Sequence, residues 1–90
     1  MNDEIFNALG NKYRREIVLL LRKKDLTAGE IVENFEIAQP SISRHLDVLK
    51  KAGVVTAHRT GNQIIYSLNG KTMEELIVFC AKLIPFDDMV

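Results

Sequence analysis

Thr27-Ala-Gly-Glu-Ile-Val-Glu-Asn-Phe-Glu-Ile-Ala-Gln-Pro-Ser-Ile-Ser-Arg-His-Leu-Asp-Val-Leu49 reads as two helices with a tight break between them. Thr27 followed three residues later by Glu30 is a capping-box pattern, in which a hydroxyl and a carboxylate each satisfy a backbone donor where a helix begins. That helix carries Ile31, Val32 and Phe35 toward a core. A second helix opens near Gln39-Pro40, where proline suits the first turn because its missing N–H would have had no helical partner. A short helix, a turn of a few residues and a second helix make a helix-turn-helix, the unit that lays its second helix in the major groove of DNA.

At about 100° per residue, Ile42, Leu46, Leu49 and Gly53 share one face of the second helix and form its buried stripe. Pro40, Arg44, Asp47 and Lys51 lie opposite, with Ser41 and Val48 on one flank and Ser43 and Lys50 on the other. Gln39, Ser41, Ser43 and Arg44 crowd the first turns. Such side chains suit base edges and phosphates, because Arg can bond guanine, Gln can bond adenine and hydroxyls serve either. An ordinary solvated helix could carry a similar face, and the residues that follow weigh against that reading. Past Gly53 the apolar period changes to two. Val54 to Arg59 and Gln63 to Leu68 are rich in Val, Ile, Thr and Tyr and flank Thr60-Gly61-Asn62, the pattern of a β-hairpin. With Arg59 on one side of its tip and Asn62 and Gln63 on the other, this hairpin has the position of a wing beside a reading helix.

Upstream, a helix is expected from about Asp3, its N-cap, to Leu9, with Gly10 as its stop and Ile5, Phe6 and Leu9 as its apolar stripe. A helix from about Lys12 to Lys23 bears the run Ile17-Val-Leu-Leu-Leu21, which must be buried on most sides. Arg14 and Arg15 stand at its beginning, where the helix dipole disfavours cations, so an outside phosphate or a neighbouring carboxylate is expected to relieve them. Downstream, Asn69 caps a last helix from about Lys71 to Ile84, stopped by Pro85. Met73, Leu76, Ile77, Cys80, Leu83 and Ile84 follow helical spacing, while Val78 and Phe79 are apolar off that stripe. One side of this helix is therefore expected to meet the domain and the other a second subunit. The expected fold is mainly α with a small β-hairpin, a winged helix-turn-helix of order α-α-α-α-β-β-α. It forms a single domain over residues 1–90 and pairs as a homodimer through its first and last helices.

Ninety residues suit one domain, small enough that a subunit partner would help its stability. With 47% hydrophobic and 27% charged residues the chain is of the soluble globular class. No apolar run approaches the roughly 20 residues of a membrane span, and the acidic Met-Asn-Asp-Glu start does not resemble a signal peptide, so a cytoplasmic location is expected. The one cysteine, Cys80, cannot build an internal disulfide framework. Net charge is zero, yet its distribution is not even. Asn11 to Lys24 carries six bases against Glu16, and Ala38 to Thr60 carries four against Asp47. Asp25 to Ile37 and Met73 to Val90 are acidic by contrast, and phosphate contacts depend on local charge rather than on the sum.

Several blocks in order resemble a known family: Leu9-Gly-Asn-Lys-Tyr-Arg14-Arg-Glu-Ile-Val-Leu-Leu-Leu21, Leu26-Thr-Ala-Gly-Glu-Ile31, Gln39-Pro-Ser-Ile-Ser-Arg-His-Leu-Asp-Val-Leu49, Gly53-Val-Val55 and Arg59-Thr-Gly-Asn-Gln-Ile-Ile-Tyr-Ser-Leu68. They are similar to the ArsR/SmtB family of bacterial repressors, in its SdpR-like subgroup, over roughly residues 5 to 69. The resemblance implies a homodimer that binds double-stranded operator DNA at an inverted repeat and represses transcription until a signal releases it. It implies DNA contacts at Ser41, Ser43, Arg44 and Arg59, and less directly at Gln39 and His45; Asn62 is a further candidate from its place at the hairpin tip. It implies a dimer interface built from the first and last helices, for which the apolar positions Ile5, Phe6, Leu9, Leu76, Phe79, Cys80 and Leu83 are the candidates. The signal is left open among a small molecule, a redox event and sequestration by another protein.

Two roles compete for His45, which sits on the edge of the buried stripe: packing, or contact with a phosphate or base. His58 reads as a partly exposed cross-strand residue, and Tyr66 as hairpin or core packing. No metal is expected. The family's cysteine pair would fall at Val32 and Asn34, which supply no thiolate, and the last helix has Glu74 and Glu75 but no histidine. Cys80 is expected to be a small buried hydrophobe. No cofactor or enzymatic activity is expected either. Ser43, His45 and Asp47 point in different directions on one helix, and no glycine-rich phosphate loop is present. Two other functions remain: a protein-interaction module, which should show exposed apolar residues on the reading face, and a DNA-binding activator or DNA organiser.

Overall fold

The computed structural model describes residues 2–85; Met1 and residues 86–90, which include Asp87 and Asp88 of the acidic C-terminal stretch, lie outside it. Eight elements follow in order: α1 (Asp3–Leu9), α2 (Lys12–Lys23), β1 (Leu26–Thr27), α3 (Ala28–Val32), α4 (Gln39–Lys51), β2 (Val55–Thr60), β3 (Gln63–Leu68) and α5 (Gly70–Lys82). The strands form one antiparallel sheet in the order β1-β3-β2. Two residues of β1 add to the expected hairpin, with Leu26 opposite Tyr66 and Thr27 opposite Ile65. A strand this short has no alternation to betray it. No helix among the described residues is long and apolar enough to cross a membrane.

Ile5 and Ala8 of α1, Ile17 and Leu21 of α2, Ile31 of α3, and Ile42, Leu46 and Leu49 of α4 close a single core over Leu26, Val54 and Val55. The stripe expected on α4 is the one buried. The five-residue run on α2 wraps the whole helix, so burying Ile17 and Leu21 turns Leu19 to the solvent. Phe35, expected on the first helix of the motif, follows its end and packs on the core from the turn.

Local chemistry sets the boundaries. Asn2, rather than Asp3, caps α1, its Oδ1 accepting from the Ile5 N–H at 3.1 Å. Thr27 and Glu30 make the reciprocal capping box of α3, at 2.9 and 3.2 Å. The end of α4 is a Schellman turn on Gly53 at φ +80°. There the Gly53 N–H reaches the Lys50 carbonyl and the Val54 N–H reaches the Leu49 carbonyl. The Gly53 carbonyl in turn accepts from the buried Thr72 hydroxyl at 2.8 Å, which pins the start of α5 to the α4–β2 turn. In the hairpin, Thr60 pairs with Gln63 and leaves a two-residue turn, Gly61-Asn62. Only Gly61 of the two has positive φ, as a type II′ turn requires.

Candidate nucleic-acid interface

With Ile42, Leu46 and Leu49 held in the core, the 3.6-residue period leaves Gln39, Pro40, Ser43, Arg44, Asp47, Lys50 and Lys51 of α4 exposed, and Ser41 half-buried on the flank. No large apolar side chain is exposed on this face. The protein-interaction alternative required one. At the N-terminus of α4 the cap residue is Ala38, which has no side-chain acceptor to offer the first turn. Beyond α4, the hairpin carries Arg59 and Asn62 exposed at its tip. Arg59 stands opposite Ile64, on the face that nearer the body carries Val55, Ala57, Tyr66 and Leu68. Tyr66 is half-buried against the core, and burial first, then the Asp47 charge, raises its phenol pKa.

His45 packs against α2 within its own domain. Its ring stacks on Tyr13 with centroids 5.8 Å apart, and Arg14 Nη1 lies 3.3 Å from Nδ1. A guanidinium can only donate, so Nδ1 accepts and the ring proton sits on Nε2, which is the atom left for any contact with DNA. Burial first, then the Arg14 and Arg44 charges, lowers its pKa below the usual 6.5 and keeps the ring neutral. His58 is exposed on β2, opposite Ile65.

Arg14 and Arg15 do not wait for an outside anion. Arg14 donates from Nε to the Ala8 carbonyl at 2.6 Å and from Nη2 to the Asn7 carbonyl at 3.1 Å, and Arg15 Nη1 donates to the Leu9 carbonyl at 2.9 Å. These are the last carbonyls of α1, so the positive start of α2 and its two arginines meet the negative end of α1. The sequence signal was the unfavourable placement itself; its partner is backbone, which carries no sequence mark.

The residues assigned to an interface between subunits divide. Ile5 is 2% exposed in the core of its own domain, so that assignment is corrected: it has no surface to offer a partner. Leu9 and Leu76 are partly buried against the same core. Phe6, 43% exposed, meets Phe79 edge to face at 5.2 Å, joining α1 to α5. Leu83 is 65% exposed, and Cys80 is exposed rather than buried as expected, because α5 extends past the body of the domain. Ile77 and Val78, which the interface assignment omitted, are 68% and 56% exposed; their apolar character on two sides of the helix was the available signal. Among the described residues no three His, Cys, Asp or Glu side chains gather as metal ligands. Val32 is half-buried, and the Asn34 amide donates to the Glu30 carbonyl at 3.0 Å.

A family model described as bacterial regulatory protein, arsR family, matches residues 11–57. The transcriptional repressor SdpR of Bacillus subtilis (strain 168) is 45% identical over 75 residues, which are 83% of this chain and 83% of that protein. Among solved structures, an ArsR family transcriptional regulator superposes with a TM-score of 0.81 over 90% of this chain and 84% of its own; at 23% identity this is a likeness of fold. A homodimeric winged helix-turn-helix DNA-binding domain from Mycobacterium bovis superposes with a TM-score of 0.74 at 25% identity, covering 89% of this chain and 74% of that one.

Proposed function

The chain belongs to the arsR family of bacterial regulatory proteins, a family of DNA-binding transcriptional regulators rather than enzymes, and from that membership we propose that it is a dimeric, sequence-specific repressor. The observation that carries this reading is the face of α4: a run of exposed Gln39, Ser43, Arg44, Lys50 and Lys51 standing on a fully buried Ile42, Leu46 and Leu49. Gln39, Ser41, Ser43 and Arg44 meet base edges and phosphates in the major groove, and Arg59 and Asn62 reach the backbone from the hairpin tip. The exposed apolar residues of α1 and α5, Phe6, Ile77, Val78, Cys80 and Leu83, together with the half-buried Phe79, pair with a second copy. A two-fold dimer sets two reading helices about 34 Å apart, one turn of duplex, and so favours an inverted repeat. The whole chain acts as one domain, in the cytoplasm.

Release does not run through the family's metal chemistry. Val32, Asn34, Glu74 and Glu75 do not fit a tetrahedral thiolate or imidazole site, so no step is assigned to a metal. The test is a gel-shift titration on a duplex that the purified protein selects from genomic DNA. Arg44→Ala weakens binding by roughly 1 to 3 kcal/mol and relaxes sequence preference. Undiminished binding by Arg44→Ala removes α4 from the groove.

A further inference from the structure

Arg14 has donors to spare. Its guanidinium carries five N–H groups in a planar fork. Three go to the Ala8 carbonyl, the Asn7 carbonyl and His45 Nδ1, leaving one on each terminal nitrogen. The same side chain lines a surface depression with Ser41, Arg44, His45 and Val48, between the start of α2 and one flank of α4. Ser41 and Val48 mark the flank of α4 beside its exposed face, and a helix lying in a groove turns its flanks toward the phosphate rows. The charges that act on His45 in this depression, those of Arg14 and Arg44, are both positive. Carbonyl oxygens of α1 hold the Arg14 fork in place, so little side-chain entropy is left to lose when an anion arrives.

We propose that this depression seats one backbone phosphate of the operator in each half-site, with Arg14 and Ser41 as the donors, so that α2 and α4 grip the same strand. Arg44 adds charge from the rim while its own fork stays available to a base edge. The proposal rests on the DNA-binding reading above and adds to it a residue outside the helix-turn-helix. The ligand chemistry is a phosphate oxyanion, and its source is the duplex rather than a free phosphate.

The test replaces single phosphates of the selected duplex by neutral methylphosphonates and titrates wild-type protein, Arg14→Gln, Arg14→Lys and Ser41→Ala. One position per half-site is expected at which neutralisation weakens wild-type binding about tenfold, the size of one hydrogen bond to a charged group. At that position Arg14→Gln should be nearly indifferent, and Arg14→Lys should keep part of the sensitivity. A uniform weakening, with every phosphate contributing to the variants as it does to wild type, would make Arg14 a structural strut and overturn the seat. Thermal melts check folding. If Arg14→Gln unfolds, the Ser41→Ala cycle decides alone, and an unchanged phosphate profile there also overturns the seat. Inorganic phosphate is titrated separately against the protein, followed by the His45 ring signals. Saturation in the micromolar range without DNA would reassign the depression to a free anion. Failure of wild-type protein to retain any duplex sinks the DNA-binding reading and the seat together, whereas normal retention with no Arg14-dependent phosphate sinks the seat alone.

Discussion

His45 shows how a single side chain links the elements that the fold brings together. Tyr13 and Arg14 come from α2, the ring from α4, and Arg14 is tied in turn to the last carbonyls of α1. Because its folded pKa is lowered from 6.5, the unfolded chain takes up a proton before the folded one does as pH falls. Stability should therefore decline as pH drops below about 6.5, and the decline should be shallower in His45→Gln. Urea midpoints at pH 7.5 and 5.5 measure it; equal slopes in the two proteins would mean that the ring is not strained by protonation. The Glu30 carboxylate also has its pKa lowered, from 4.5, by the Thr27 N–H first and the Thr27 hydroxyl next. Its contribution is present above that value and is lost at more acid pH. The core stripe and the exposed identity of Arg44 were legible from helical spacing alone. The partners of Arg14 were not, since the carbonyls that hold it belong to a helix brought up by the turn at Gly10.

At the scale of elements, caps and turns were the legible features, because their chemistry is local. Thr27 serves both the α3 cap and the β1 pairing with Ile65. Thr27→Ala should cost about 1 kcal/mol of stability in urea unfolding, with the slope unchanged. Gly53 closes α4 at a positive φ that an L side chain adopts only with strain, although a Cβ there would meet nothing nearer than 3.9 Å. Gly53→Ala should therefore cost about 1 to 2 kcal/mol through backbone conformation rather than through a clash. A variant as stable as the parent would mean that the Schellman turn re-forms another way. Strand β1 escaped the reading because two residues pair only by virtue of where β3 lies, and the hairpin loop came out a residue shorter because Thr60 pairs with Gln63.

At the scale of the molecule, α5 decides the outline. The Cα extents are 51 × 26 × 23 Å, and the far end of α5 leaves Ile77, Val78 and Leu83 in solvent, while Phe79 reaches back to Phe6. Phe79→Glu should give folded monomers by sedimentation with weakened operator binding, and a dimer that survives it would move the interface elsewhere. Ile5→Glu makes the contrast, since it places a charge in the core and should unfold the domain. The amino-acid sequence by itself determined the order of the helices and of the hairpin, the face of α4 that goes inward and the polar face that remains, since these follow from periodicity and capping within a few residues. Only the tertiary structure decided that Ile5 is core while Phe6 is surface, that Cys80 is exposed, and that Arg14 stands between α1 and the reading helix. Those facts depend on which distant segments meet, and burial of apolar area is set by the packed whole rather than by any one segment's pattern.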